Sequence, residues 1–127
     1  MTKDLQEIKS ILTEILTNHK KVLKFKGENS SSMEASGTIK ALQGKKKVDG
    51  IYFASVVEKP KDVRLYFFPI YTHVKDFENT LSDELKKSLK GKSCFHVKAI
   101  SDEIKIELQQ MINKGIELFQ KDGLLAK

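Results

Sequence analysis

Residues 51–71 read IYFASVVEKPKDVRLYFFPIY. Two runs rich in β-branched and aromatic residues, Ile51 to Val57 and Val63 to Tyr71, flank the polar segment Glu58-Lys59-Pro60-Lys61-Asp62. Such runs favour strands, and the short breaker-rich link predicts that they pair as an antiparallel hairpin. Alternation along a strand sends successive side chains to opposite faces. Here both faces come out apolar: Ile51, Phe53 and Val57 oppose Tyr52, Ala54 and Val56, and Leu65 and Phe67 oppose Tyr66, Phe68 and Ile70. A sheet covered on both sides reads this way, so the hairpin calls for helices on each flank. Pro69 has no N–H for a ladder bond and marks a bulge, an edge or the strand's end.

The available covers lie at the two ends of the chain. Leu5, Ile8, Leu12, Ile15 and Leu16 follow the helical period, predicting a helix from about residue 3 to about residue 18 with Thr2 as cap and Asp4 in its first turn. His19, among Lys20 and Lys21, reads as a solvated helix end. The last helix opens at Ser101 and carries Ile104, Leu108, Met111, Ile112, Gly115, Ile116 and Phe119 on one stripe. An interior glycine costs about 1 kcal/mol relative to alanine, so Gly115 on that stripe signals close packing.

Between helix and hairpin, Val22 to Phe25 reads as a short strand, residues 26–32 as a polar loop, and residues 33–42 as a strand broken near Gly37. Beyond the hairpin, LSDELKKSLKGKSCFHVKAI (81–100) combines a short helix, a stop and a strand. Ser82 caps the helix, Leu81, Leu85 and Leu89 form its stripe, and Gly91 ends it. In the following strand Phe95, Val97 and Ala99 share the core face, while Cys94, His96 and Lys98 share the other. The expectation is one α+β domain over residues 1–127: an antiparallel sheet of about five strands, packed by N- and C-terminal helices plus one short helix.

Composition narrows the function. The net charge is +6, but 22 of the 23 cations are lysine. Lysine is a point charge on a flexible stem, less suited than arginine to bidentate recognition of phosphate or base edges. Nucleic acid is therefore a disfavoured partner; the best basic-aromatic grouping is Lys45-Lys46-Lys47 beside Tyr52. The serines of residues 30–32 lack the glycine spacing of a phosphate loop. A single cysteine cannot close an internal disulfide, which fits a reducing, cytoplasmic setting. No run approaches the ~20 apolar residues of a membrane span. An uncovered sheet edge or face would admit a homodimer.

Three chemistries suit the remaining residues. Cys94 beside His96 suggests a thiol-dependent enzyme, with Lys92 and Lys98 lowering the thiol pKa. Positions two apart on a strand lie about 6.5 Å from one another, however, which is long for a thiol–imidazole contact. Cys94, His96 and His73 could instead supply three metal ligands, although no metal-binding spacing supports the set. The favoured reading is a non-enzymatic pocket for a small anionic ligand, built from Tyr66, Tyr71, His73, Lys92, Cys94 and His96. No motif calls for a cofactor.

Three segments carry a family resemblance: Gly44-Lys45-Lys46-Lys47-Val48-Asp49-Gly50-Ile51-Tyr52-Phe53-Ala54, Tyr66-Phe67-Phe68-Pro69-Ile70-Tyr71 and Leu89-Lys90-Gly91-Lys92-Ser93-Cys94-Phe95-His96-Val97-Lys98. From about residue 20 onward the chain resembles the YdhG-like family, small bacterial domains. That resemblance implies an α+β fold with an antiparallel sheet. One branch of the family is described as frataxin-like iron chaperones, which implies iron handling.

Overall fold

A computed structural model describes residues 1–28 and 30–127; Asn29, in the expected polar loop, lies outside the described residues. In chain order the elements are α1 (Leu5–Thr17), β1 (Leu23–Lys26), β2 (Ser32–Gly37), β3 (Ala41–Gln43), β4 (Lys46–Val48), β5 (Tyr52–Glu58), β6 (Val63–Phe67), α2 (Phe68–Thr72), α3 (Val74–Phe77), α4 (Asp83–Ser88), β7 (Leu89–Lys90), β8 (Cys94–Val97) and α5 (Asp102–Lys121). Six strands form one sheet in the order β1-β2-β5-β6-β8-β7, antiparallel throughout, and β3 and β4 form a separate hairpin. The α+β class holds, with terminal helices and an antiparallel sheet.

Both long helices lie on the same side of this sheet. Residues opposed across a ladder share a face. Val56 faces Leu65 and Ala54 faces Phe67; Leu65 faces Phe95 and Val63 faces Val97. All of these are buried. Phe119 of α5 meets Phe53 edge-on at 5.8 Å, and Glu58, opposite Val63, pairs with Lys9 of α1 at 3.6 Å. The other face carries Ser55 opposite Tyr66 opposite Cys94, and Val57 opposite Arg64 opposite His96.

The expected two-sided cover is thus corrected to a one-sided one, for two reasons. The β2–β5 register shifts so that Ala35 opposes Ala54 while Ser36 opposes Tyr52. Phe53 is left without a partner in the ladder, and the bulge lets Phe53 and Ala54 both turn inward, each fully buried. Second, β6 stops at Phe67. Phe68, Pro69, Ile70 and Tyr71, expected on a strand, form α2, with Pro69 in the first turn where no N–H is needed. The apparent second apolar face came from a bulge and a helix.

Two further boundaries move. The short helix ends at Ser88, and Leu89–Lys90 pairs with β8 across a tight turn in which Gly91 takes a φ of 73°. Gly91 therefore shapes a hairpin rather than a helix end. His19 is half-buried rather than solvated. Burial pushes its imidazole down, against a hydrogen bond with Asn113 of α5 that acts the other way.

The core joins both helices to the sheet through aromatic rings. Phe67 meets Phe53 at 5.6 Å and 87°, and meets Phe77 at 5.6 Å and 85°. Such edge-to-face pairs add about 0.5–1.5 kcal/mol beyond their burial. Gly115 of α5 lies over Phe67, where an added Cβ would sit 2.6 Å from the ring's Cζ. The glycine on the helical stripe does mark close approach.

Asp4, not Thr2, caps α1: its Oδ1 accepts from the N–H groups of Gln6 (2.9 Å) and Glu7 (3.2 Å). Asp4→Ala is expected to cost about 1 kcal/mol in denaturant unfolding. Thr2→Ala should cost less than half of that; the reverse order would return the cap to Thr2.

Candidate functional site

The six residues singled out from sequence fall in three places. Tyr66, Cys94 and His96 stand on the uncovered sheet face. Tyr71 and Lys92 border a cleft at the sheet's end. His73 sits between α2 and α3, its ring 6.1 Å from that of Phe119, on the helix-bearing side.

His73 is held on both sides. Its Nε2 lies 2.7 Å from Asp122 at the end of α5, and its Nδ1 lies 3.3 Å from Asp76. The ring ties the α2–α3 corner to α5, away from Cys94 and His96. Among the described residues no three His, Cys, Asp or Glu side chains are gathered in a way that could hold a metal ion.

On the open sheet face, Asp62 is 5% exposed and sits between Arg64 and His96. Arg64 Nε donates to its Oδ1 at 3.2 Å, and His96 Nδ1 lies 3.5 Å from its Oδ2. A buried carboxylate needs such partners. Tyr52 Oη and Ser55 Oγ are 2.7 Å apart, and burial pushes the Tyr52 phenol up, so it stays neutral. Burial also pushes the Cys94 thiol up; a hydrogen bond with Tyr66 and the Arg64 charge act against this, and the Asp62 charge adds to it. A raised thiol pKa is the opposite of what a nucleophile needs at neutral pH. Arg64, not the expected Lys92 or Lys98, is the cation that acts on the thiol.

The cleft has a volume of about 660 Å³. One wall comes from α2 and α3: Ile70, Tyr71, Val74 and Phe77. The other is Leu81, ahead of α4, and Leu89 of β7. Ile70, Phe77 and Leu81 are buried, whereas Tyr71 is 49% and Val74 57% exposed. Lys86 and Lys92 are exposed at its rim, with Glu78 as the one acid. Lys92 Nζ lies 5.4 Å from the centre of the Tyr71 ring, which in turn stacks on Phe68 at 6.0 Å. Among the described residues neither lysine has a carboxylate within 4.0 Å.

Sequence reading found Tyr71 and Lys92 but missed Ile70, Val74, Phe77, Leu81, Lys86 and Leu89. Extending the second strand to Tyr71 hid the wall made by α2 and α3. Assigning Leu89 to a helix stripe hid the other.

Family models, curated proteins and solved structures yield no match to this chain. Among the described residues no helix is long and apolar enough to cross a membrane.

The thiol chemistry is measurable. The alkylation rate of Cys94 by iodoacetamide should inflect above about 8.5, the ordinary thiol value, and higher still in Tyr66→Phe, which loses a thiolate-stabilising hydrogen bond. An inflection well below about 8.5 would restore an activated thiol.

Proposed function

We propose that the chain is a non-enzymatic binding domain for a small anionic ligand, and that the ligand occupies the cleft between α2–α3 and α4–β7. The carrying observation is a pair of lysines, Lys86 and Lys92, which have no carboxylate partner among the described residues, beside an apolar cavity of about 660 Å³. Ligand cavities commonly span about 300–1,000 Å³, apolar in lining with a few polar groups that orient the guest. An unpaired cation on a low-dielectric wall attracts an anion more strongly than one in bulk water. The basic balance of +6 adds longer-range attraction.

Tyr71, Leu89, Gly91 and Lys92, which belong to the segments that resemble the YdhG-like family, all border this cleft. On the family reading, that coincidence favours this cleft as the site. The single cysteine supports a reducing, cytoplasmic setting. An uncovered sheet edge or face is where a second copy would pair. Among the described residues, iron handling and thiol catalysis have no comparable grouping of side chains behind them.

A thermal-shift screen at low salt tests the binding reading. Carboxylates, phosphates and sulfonates are the classes to compare. A bound anion at a hundredfold excess over Kd stabilises the fold by about 2.7 kcal/mol. Stabilisation by at least one class is expected, weakened in the double variant Lys86→Ala/Lys92→Ala and by added salt. No stabilisation by any class, or equal stabilisation of the double variant, would remove the proposal.

A further inference from the structure

The geometry points to a narrower guest: an amphipathic monocarboxylate, with an acyl chain or aryl ring in the cleft and its carboxylate at the lysine rim. This inference rests on the anion-binding reading and adds the chemistry of the ligand's body.

The lining divides by polarity along the cleft. Ile70, Phe77 and Leu81 are buried and offer only carbon. A hydrophilic anion such as inorganic phosphate or citrate would gain nothing from them and would lose its own hydration beside them. Val74 and Tyr71 leave large apolar surfaces in water, 57% and 49% exposed. Covering such surface is favourable in proportion to its area. An apolar body satisfies this, and a purely polar guest does not.

The head is set by the rim. Lys92 is oriented by the Tyr71 ring, which it overlies at 5.4 Å. Lys86 is the second cation lining the cleft, and Glu78 offsets part of their charge. Two ammonium groups against one carboxylate leave a net attraction for a single negative charge. The net positive charge of the two lysines disfavours a cationic guest. Neither lysine offers the planar fork that suits bidentate capture of a phosphate group.

Titration calorimetry with linear carboxylates from hexanoate to decanoate, each below its micellar concentration, tests the assignment. Each added methylene should tighten Kd about threefold to fourfold until the cleft is filled. Decanol should bind more weakly than decanoate, and decyltrimethylammonium more weakly still. Lys92→Ala should weaken decanoate about threefold to fivefold. Val74→Glu changes an exposed side chain in the first turn of α3, where an acid is compatible with the helix, and places a negative charge in the cleft. It should weaken decanoate further while leaving the unfolding temperature near that of the parent chain.

Phosphate or citrate binding in a Lys92-dependent manner, with no effect of chain length, would overturn the amphipathic guest and leave the anion reading standing. Absence of binding by every anion would overturn both. Decanoate binding unchanged by Lys92→Ala and Val74→Glu would place the guest elsewhere and overturn the assignment.

Discussion

The contact between Phe67 and Gly115 organises the rest of the molecule. Phe67 is the last residue of β6, fully buried, and its ring fills the space a Cβ on Gly115 would need. Pro69 reaches the same notch, its Cγ 3.0 Å from that point. Close approach of α5 therefore depends on a position without a side chain. The same ring stacks edge-on with Phe53 of β5 and Phe77 of α3. One residue thus joins the sheet, the C-terminal helix and the inner wall of the cleft.

The cleft exists because the chain leaves the sheet at that point. α2 and α3 are five and four residues long, too short to be stable alone. Phe77 and Ile70 anchor them from within, and His73 clamps their corner through Asp76 and Asp122. Short elements with exposed apolar surface belong to the less stable part of a fold, where binding segments are commonly found. The opposite sheet face has a different character. Its Asp62, Arg64 and His96 satisfy one another, and its Cys94 is held protonated. That arrangement explains a polar surface without demanding a guest.

Much of the fold was legible in the sequence. Helix period placed α1 and α5, β-branched runs placed β5 and β6, and Gly115 announced close packing. What escaped depended on tertiary register. Alternation assumes a regular ladder, and the unpaired Phe53 breaks it, so a one-sided sheet read as two-sided. The run Tyr66-Phe67-Phe68-Pro69-Ile70-Tyr71 has strand composition, yet packing against α5 ends the strand at Phe67 and the proline begins a helix. Of the site residues, Lys92 and Tyr71 were legible as polar-tipped neighbours of aromatic strands. His73 was a plausible ligand until its two carboxylate partners, one of them 49 residues away, came into view. No local pattern reports a pairing of that separation.

A double-mutant cycle between Phe67→Leu and Gly115→Ala, read by denaturant unfolding, tests the central contact most directly. Gly115→Ala alone should destabilise by about 1–3 kcal/mol through overpacking against the ring. In the Phe67→Leu background much of that cost should vanish, giving a coupling energy on the order of 1 kcal/mol. Strictly additive effects would mean that the ring and the glycine do not meet, and that the cleft's inner wall is set by something else.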